Sequence, residues 1–271
     1  MAAPAPHAYS GARPCSGDEA SQARRRWLCL LGMRPITFAE ALETLVLLRE
    51  HTSDNNEGRF LTHCLRHITQ SHAQFLQDLW VSYELKGMRE GFFVEFGAAN
   101  GVKFSNSLYL ERDLGWRGIL AEPARVWYPA LRQNRVCSID ARCVWTTTGE
   151  RLLFNQPPIA AHSTLDAFSA GDAHADSRKD GERYEVETVS LMDLLAHWQA
   201  PRRVDYLSID TEGSELAILE AFDFAAYDVR LISVEHNHTD KRQPLYDLLT
   251  ANGFRRTLEK LSNVDDWYVK A

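Results

Sequence analysis

The sequence has little that would tie the protein to a membrane, a disulfide framework or a nucleic acid. Its apolar runs are shorter than the roughly 18 residues that a membrane-spanning helix needs, so we predict no membrane insertion. The five cysteines include no CxxC pair, which excludes a zinc knuckle and favours reduced thiols in a cytoplasmic protein. A net charge of −7 argues against nucleic acid as a partner.

The composition that is present is that of a globular protein. Hydrophobic residues make up 45% of the 271 residues and charged residues 25%, which suits one large α/β domain with additions. Residues 1–32 show no sustained periodicity and are predicted to form a disordered tail. Apolar residues then recur at helical spacing near 36–48, 58–70 and 73–85, so residues 33–86 are predicted to form an N-terminal helical cap.

Residues 87–271 alternate short apolar strands with helical stretches. This alternation predicts a doubly wound, mainly parallel sheet with right-handed crossovers. The last two strands are expected to close the sheet as an antiparallel pair. The predicted strands lie at 92–96, 116–121, 137–144, 204–209, 230–234, 254–257 and 267–270, and the predicted helices at 105–114, 125–134 and 215–222.

One long segment interrupts this alternation. Residues 149–190 contain a predicted hairpin edge at 151–154, a polar run from 169 to 182 and a predicted strand at 185–190. Insertions of this length in a compact domain are usually functional loops or disordered ones. We therefore predict a substrate-side insertion, with an inert loop as the alternative.

A glycine-containing loop follows the first predicted strand, in the segment VEFGAANG. Gly97 and Gly101 allow a tight turn and a close approach of the backbone to a ligand. The loop lacks the close glycine pair of a dinucleotide site, because Ala99 stands where a second glycine would be, and a smaller nucleoside is therefore favoured. Glu95 suits an ammonium group better than a phosphate. A purely structural strand–helix turn is the alternative.

An acidic residue, Glu122, follows the next predicted strand about twenty residues after Gly101. At this spacing a carboxylate can accept hydrogen bonds from both hydroxyls of a ribose. A solvated carboxylate at a strand end is the alternative.

Further acids and a histidine follow two later strands. Asp210 and Glu212 come directly after the strand at 204–209, at the sheet edge where open α/β sheets bind ligands. They could hold a methionine amine, an acceptor hydroxyl or a divalent ion, but no ligand spacing identifies a metal site and we predict none. His236 follows the next strand, and its intrinsic pKa suits removal of a hydroxyl proton. A structural or exposed histidine is the alternative, and His238 is a less favoured candidate.

Together these blocks resemble the FkbM methyltransferase family. The matching text covers residues 71–270 and includes GFFVEFGAANG, FSNSLYLERDLGWRGILAEP, VDYLSIDTEGSELAILEAFDF and DDWYVK. The resemblance implies the class I methyltransferase fold, a Rossmann-like seven-stranded sheet with one antiparallel strand. It also implies S-adenosylmethionine as the cofactor and methylation of a hydroxyl on a sugar, a glycan or another secondary metabolite.

The resemblance further implies a set of cofactor-binding positions. The catalytic candidates are His236, Asp210 and Glu212, and either His236 or Asp210 would take the hydroxyl proton. The cofactor-binding candidates are Gln74, Asp78, Glu95, Gly97, Ala98, Asn100, Gly101, Ser105, Asn106, Glu122 and Asp210.

Two other functions compete with this interpretation. A non-catalytic scaffold with the same fold would have no need of Glu95, Glu122 and Asp210 together. An NAD-dependent oxidoreductase is disfavoured by the missing close glycine pair. The expected partner is a small-molecule or glycan acceptor, and a homo-oligomer is possible on this sequence.

Overall fold

The computed structural model describes Leu42 and residues 55–271. The chain divides into two compact units, Met1–Gly58 and Arg59–Ala271. The tail predicted at 1–32 and nearly all of the helix predicted at 36–48 lie outside the described residues. Within the described part of the chain, no helix has the length and apolar character to cross a membrane.

The described residues form eleven strands and seven α-helices. The strands are β1 (Phe92–Phe96), β2 (Arg117–Ala121), β3 (Ser138–Asp140), β4 (Cys143–Trp145), β5 (Arg151–Gln156), β6 (Thr164–Leu165), β7 (Glu182–Ser190), β8 (Arg203–Ile209), β9 (Asp228–Glu235), β10 (Phe254–Thr257) and β11 (Asp265–Lys270). The helices are α1 (Asn56–His67), α2 (Gln77–Glu84), α3 (Leu108–Leu114), α4 (Tyr128–Asn134), α5 (Leu191–His197), α6 (Glu215–Glu220) and α7 (Arg242–Ala251).

Seven strands form one mixed sheet in the order β10-β11-β9-β8-β1-β2-β3. The pairs from β9 through β3 are parallel, and β11 runs antiparallel to both of its neighbours. Strands β1 and β8 are almost entirely buried, as expected for parallel strands covered on both faces. The predicted α/β class, the mainly parallel sheet and the closing antiparallel pair are confirmed.

The single strand predicted at 137–144 is wrong. Residues Ser138–Asp140 pair with β2 in the large sheet, whereas Cys143–Trp145 pair with β7 in a second sheet of order β4-β7-β5-β6. Between them the Asp140 carboxylate accepts hydrogen bonds from the backbone and the guanidinium of Arg142, at 2.6 to 2.9 Å. This local turn directs the chain out of one sheet and into the other, although the apolar pattern continues through it.

The segment 149–190 provides three of the four strands of the second sheet. Strand β5 pairs antiparallel with β7, and β6 pairs with β5. The predicted hairpin edge and the predicted strand at 185–190 therefore correspond to β5 and to the second half of β7. The position of this segment relative to a substrate stays a prediction.

Helices α1 and α2 share the core of the large sheet. Trp80 of α2 stacks on Trp267 of β11 with ring centroids 5.2 Å apart, and Phe60 of α1 meets Trp267 edge-on at 5.8 Å. The sequence assigned these helices to a cap that precedes the main domain. Because these rings lie in one buried cluster, residues 59–86 belong to the same compact unit as the sheet.

Candidate active site

The loop after β1 is fixed by a close approach to the end of β8. Gly97 has a φ of 72°, and a Cβ atom there would lie 2.0 Å from the carbonyl oxygen of Asp210. Only glycine accommodates both the left-handed backbone and this contact. The contact places the predicted cofactor loop directly beside Asp210.

Gly101 is required for a different reason. A Cβ atom there would lie 2.6 Å from Cγ of Arg135 and 2.7 Å from Cδ1 of Leu131, so the missing side chain makes room for protein packing. Asn100 accepts hydrogen bonds from the backbone N–H groups of Val102 and Lys103, at 3.0 and 2.8 Å. These two positions shape the loop, and a direct contact with a cofactor stays a prediction for both.

Glu95 is buried at the end of β1 and is engaged by the segment that follows the loop. Its carboxylate accepts hydrogen bonds from the backbone N–H of Asn106 at 2.9 Å, from the hydroxyl of Ser105 at 3.2 Å and from the hydroxyl of Ser107. These bonds explain why helix α3 begins at Leu108, three residues later than predicted. The Glu95 carboxylate therefore has a structural role in holding the segment after the loop. Binding of an amine by Glu95 stays a prediction.

Glu122 joins the loop after β1 to the end of β2. Its Oε2 accepts the backbone N–H of Ala99 at 2.7 Å, and its Oε1 accepts that of Ala124 at 2.8 Å. The side chain is buried, and desolvation raises its pKa to about 7. Each carboxylate oxygen has a second acceptor site, so two hydroxyl groups could still bind. The sequence spacing had linked Glu122 to the loop after β1, and in the structure the two are in contact.

An acidic cluster lies at the ends of β8 and β9. One carboxylate oxygen from each of Asp210, Glu212 and Glu235 lies within 4.8 Å of the other two. Asp265 of β11 faces Glu235 in the strand register and accepts a hydrogen bond from the Gln77 amide at 2.6 Å. Asp210 and Glu212 were predicted from the sequence, but Glu235, Asp265 and Gln77 were missed.

Burial and mutual repulsion raise the pKa values of this cluster. Desolvation, with the charges of Asp265 and Glu215, raises the pKa of Asp210 to about 8. Desolvation and the charge of Asp210 raise that of Glu212 to about 9, against the opposing effect of Arg178. The pKa of Glu235 is shifted upward for the same reasons. These carboxyl groups therefore release their protons less readily than exposed carboxyl groups do.

His236 is buried beside this cluster. Its Nδ1 accepts the backbone N–H of His238 at 3.0 Å, and its Nε2 lies 3.7 Å from Oδ1 of Asp266. A neutral histidine that accepts at Nδ1 carries its hydrogen on Nε2, which leaves no free lone pair for a substrate proton. Burial also lowers the pKa of the ring. The role of His236 as the base stays a prediction, and this geometry favours a carboxylate instead.

The segment before the sheet contacts the site through Gln77, a residue that was not predicted from the sequence. Asp78 is buried, and its carboxylate accepts hydrogen bonds from the Ser71 hydroxyl at 2.7 Å and the His72 backbone at 2.8 Å. Gln74 is exposed, whereas Gln77, three residues later, bonds to Asp265. The Gln-Asp dipeptide at 77–78 was the available signal for Gln77, and cofactor binding by Gln74 and Asp78 stays a prediction.

The strand order and the single reversed strand, β11, define the class I methyltransferase fold. The chain belongs to the methyltransferase FkbM domain family, whose model matches residues 95–263.

The chain is also similar to individual proteins. The chain is similar to methyltransferase sdnD of Sordaria araneosa, with 27% identity over 234 residues that cover 74% of this chain and 89% of that protein. Among solved structures, methyltransferase FkbM from Methylobacillus flagellatus aligns over 94% of this chain and 72% of its own, with a TM-score of 0.42 and 12% identity. A TehB-like SAM-dependent methyltransferase from Corynebacterium glutamicum aligns over 80% and 100%, with a TM-score of 0.37 and 7% identity.

Proposed function

We propose that this protein is an S-adenosylmethionine-dependent O-methyltransferase that acts on a hydroxyl of a sugar, a glycan or another small-molecule acceptor. The observation that carries the proposal is the 2.7 Å hydrogen bond between the Ala99 backbone and Glu122. It brings the glycine loop and the strand-end acid together, and Gly97 of that loop contacts Asp210 of the acidic cluster. Family membership supplies methyl transfer as the reaction type.

The residues at this site fit the proposed cofactor. Glu122 keeps one free acceptor site on each oxygen for the two ribose hydroxyls. Asn106 has a buried Oδ1 with no hydrogen-bond partner among the described residues, and its amide nitrogen donates to Ser208 at 3.0 Å. The cofactor supplies a methyl group already activated by its sulfonium charge. We place the nucleoside along Gly97–Ala99 and Glu122.

The protein then has two tasks, alignment of the acceptor oxygen and removal of its proton. Asp210 contacts Gly97 through its backbone, and its carboxylate clusters with those of Glu212 and Glu235, where an acceptor could approach the methyl group. We propose that one of these carboxylates takes the proton and that Asp210 is the first candidate. His236 is the second candidate, because its Nδ1 is already occupied.

Calorimetry followed by product analysis tests the proposal. S-adenosylhomocysteine should bind the full chain, whereas NAD should not. Incubation with S-adenosylmethionine and a panel of sugar nucleotides, oligosaccharides and small hydroxylated acceptors should give a methylated product by mass spectrometry. Cofactor binding without transfer to any hydroxyl acceptor would favour the scaffold, and NAD binding alone would favour the oxidoreductase.

A further inference from the structure

Three carboxylates converge on one point although they come from two strands. Ile209 of β8 pairs in register with Val234 of β9, so Asp210 and Glu235 leave the same sheet edge side by side. Glu212 is directed back toward them by a left-handed backbone, with a φ of 59°. Such a conformation is costly for a residue with a side chain and persists only where its surroundings enforce it.

Contacts from the inserted segment hold Glu212 in this conformation. The hydroxyl of Thr164 donates to the Glu212 carbonyl oxygen at 2.9 Å, and Nη2 of Arg178 lies 2.7 Å from Oε2 of Glu212. Gly213 follows with a φ of 122° and lies against the ring of Phe168. The inserted segment therefore holds the third carboxylate in place.

One oxygen of the cluster lacks any donor. Glu235 is 8% exposed, and its Oε2 is buried without a hydrogen-bond partner among the described residues. An unsatisfied buried carboxylate oxygen is unfavourable, because it has lost water and gained nothing in return. The neighbouring acids differ in this respect: Glu215 accepts from the backbone of Thr211 and Gly213, and Asp265 from Gln77.

A small cavity is lined in part by two members of the cluster, Glu212 and Glu235. It has a volume of about 20 Å³, and Glu212, Glu235, His236, Asp172 and Lys241 contribute to its lining. This volume accommodates one water molecule or one ion. Among the described residues, Arg178 pairs with Asp172 and with Glu212 of the cluster, and the Lys241 ammonium donates to the Gly213 carbonyl at 2.6 Å. Neither cation donates a hydrogen bond to Oε2 of Glu235.

We propose that Asp210, Glu212 and Glu235 bind one divalent cation of the magnesium or manganese type. Oxygen atoms around such an ion lie roughly 3 Å apart when adjacent and about 4.2 Å apart when opposite, for ligand distances of about 2.1 Å. The separations of at most 4.8 Å in the cluster are compatible with this geometry after small side-chain rotations. An all-oxygen ligand set selects hard cations over zinc.

The cation would leave coordination positions open toward the cavity. Under the proposed function, on which this step rests, an acceptor hydroxyl would bind there and lose its proton more readily. The cation site itself is independent of that step.

Titration of the chelator-treated full chain with Mn²⁺, followed by electron paramagnetic resonance, tests the site. We expect one bound Mn²⁺ per chain, displaced by Mg²⁺. Glu235→Gln should weaken Mn²⁺ binding at least tenfold, whereas Asp240→Asn, an exposed acid five residues later, should leave it unchanged. Binding that is absent in the parent, or equal in Glu235→Gln and the parent, would overturn the proposal.

Two further measurements keep the test decisive. If Glu235→Gln does not fold, Asp210→Asn replaces it, and the rise in melting temperature on adding Mn²⁺ should occur in the parent and be lost in the variant. Calorimetry with S-adenosylhomocysteine on the same samples separates the two proposals. Cofactor binding without Mn²⁺ overturns only the cation site, and Mn²⁺ binding without cofactor overturns only the proposed function.

Discussion

Arg178 and Glu212 form a buried ion pair, with Nη2 and Oε2 2.7 Å apart. The guanidinium also pairs with Asp172 at 2.6 Å and donates to the His162 carbonyl at 2.7 Å. Its side chain is 0% exposed. Arg178 belongs to the inserted segment and Glu212 to the turn after β8. The Arg178 side chain therefore joins the inserted segment to this turn.

Loss of Arg178 should therefore destabilise the protein strongly. Arg178→Met leaves the carboxylates of Asp172 and Glu212 buried without their counter-charge, and we expect the free energy of unfolding to fall by about 3–5 kcal/mol. The double variant Arg178→Met/Glu212→Gln should lose less than the sum of the single variants. Urea denaturation measures both.

The matched control is Arg183→Met. Arg183 lies in the same segment and pairs with Asp166 at 2.8 Å, but both side chains are about one-third exposed. An exposed pair contributes at most about 1 kcal/mol. Equal losses for Arg178→Met and Arg183→Met would show that the buried pair has no special role.

Gly97→Ala and Gly115→Ala should differ although both glycines have a φ of 72°. A methyl group at Gly115 meets no atom within 4 Å, so only the left-handed strain of about 1–2 kcal/mol applies. At Gly97 the same strain adds to a clash with the Asp210 carbonyl, and we expect a loss of at least about 3 kcal/mol. Thermal unfolding compares the two, and S-adenosylhomocysteine binding should fail only in Gly97→Ala. Equal losses of stability in the two variants would mean that the ends of β1 and β8 can move apart without cost.

Cofactor affinity should depend on Glu122. Glu122→Ala removes charge-assisted hydrogen bonds to two hydroxyls, and we expect S-adenosylhomocysteine binding to weaken by about 1.5–3 kcal/mol, or one to two decades. Calorimetry on a variant with a normal circular dichroism spectrum measures this. Unchanged affinity in the folded variant would remove the ribose assignment.

The same carboxylate predicts a pH dependence of binding. Burial raises the pKa of Glu122 to about 7. Under the proposed function, the ribose hydroxyls would donate to its ionised form. Binding should be constant well above pH 7 and weaken as the pH falls through it, approaching tenfold per unit below. Glu122→Gln, which cannot titrate, should show a flatter profile between about pH 5.5 and 8. A parent profile as flat as that of the variant would contradict the assignment.

The identity of the base can be tested by two asparagine variants. His236→Asn keeps an acceptor for the His238 backbone and removes the ring, so we expect a single-turnover rate within about tenfold of the parent. Asp210→Asn should lower that rate by about 10²–10⁴-fold. A loss of a hundredfold or more in His236→Asn alone, with unchanged cofactor affinity, would return the role to the histidine.

The sequence predicted those parts of the site that follow from parallel strands. Gly97, Glu122 and Asp210 each come directly after an apolar strand, and parallel strands bring their carboxyl ends to one edge. Their proximity could therefore be inferred without coordinates. Glu235 carried the same signal, directly after the strand predicted at 230–234, but it was not singled out because the histidine after it drew the interpretation.

Other parts depend on tertiary contacts that leave no local pattern. Arg178 lies in a polar run with no periodicity, and its burial follows from contacts with Asp172 in the same run and with Glu212, far away in the sequence. The division of 137–144 between two sheets depends on the turn that Asp140 and Arg142 form. A period-two pattern records which face of a strand is buried, and it cannot record which sheet the strand joins.

The position of β11 has a consequence for synthesis. Asp265–Lys270 is made after every other described strand, yet it lies between β9 and β10, and it is the only neighbour of β10 in the sheet. On the ribosome, β10 emerges without a strand to pair with, and one edge of β9 stays open until residue 270 has left the exit tunnel. Open edges of this kind promote aggregation of nascent chains. We therefore expect the nascent chain to need chaperones most during the last stage of translation, just before β11 inserts.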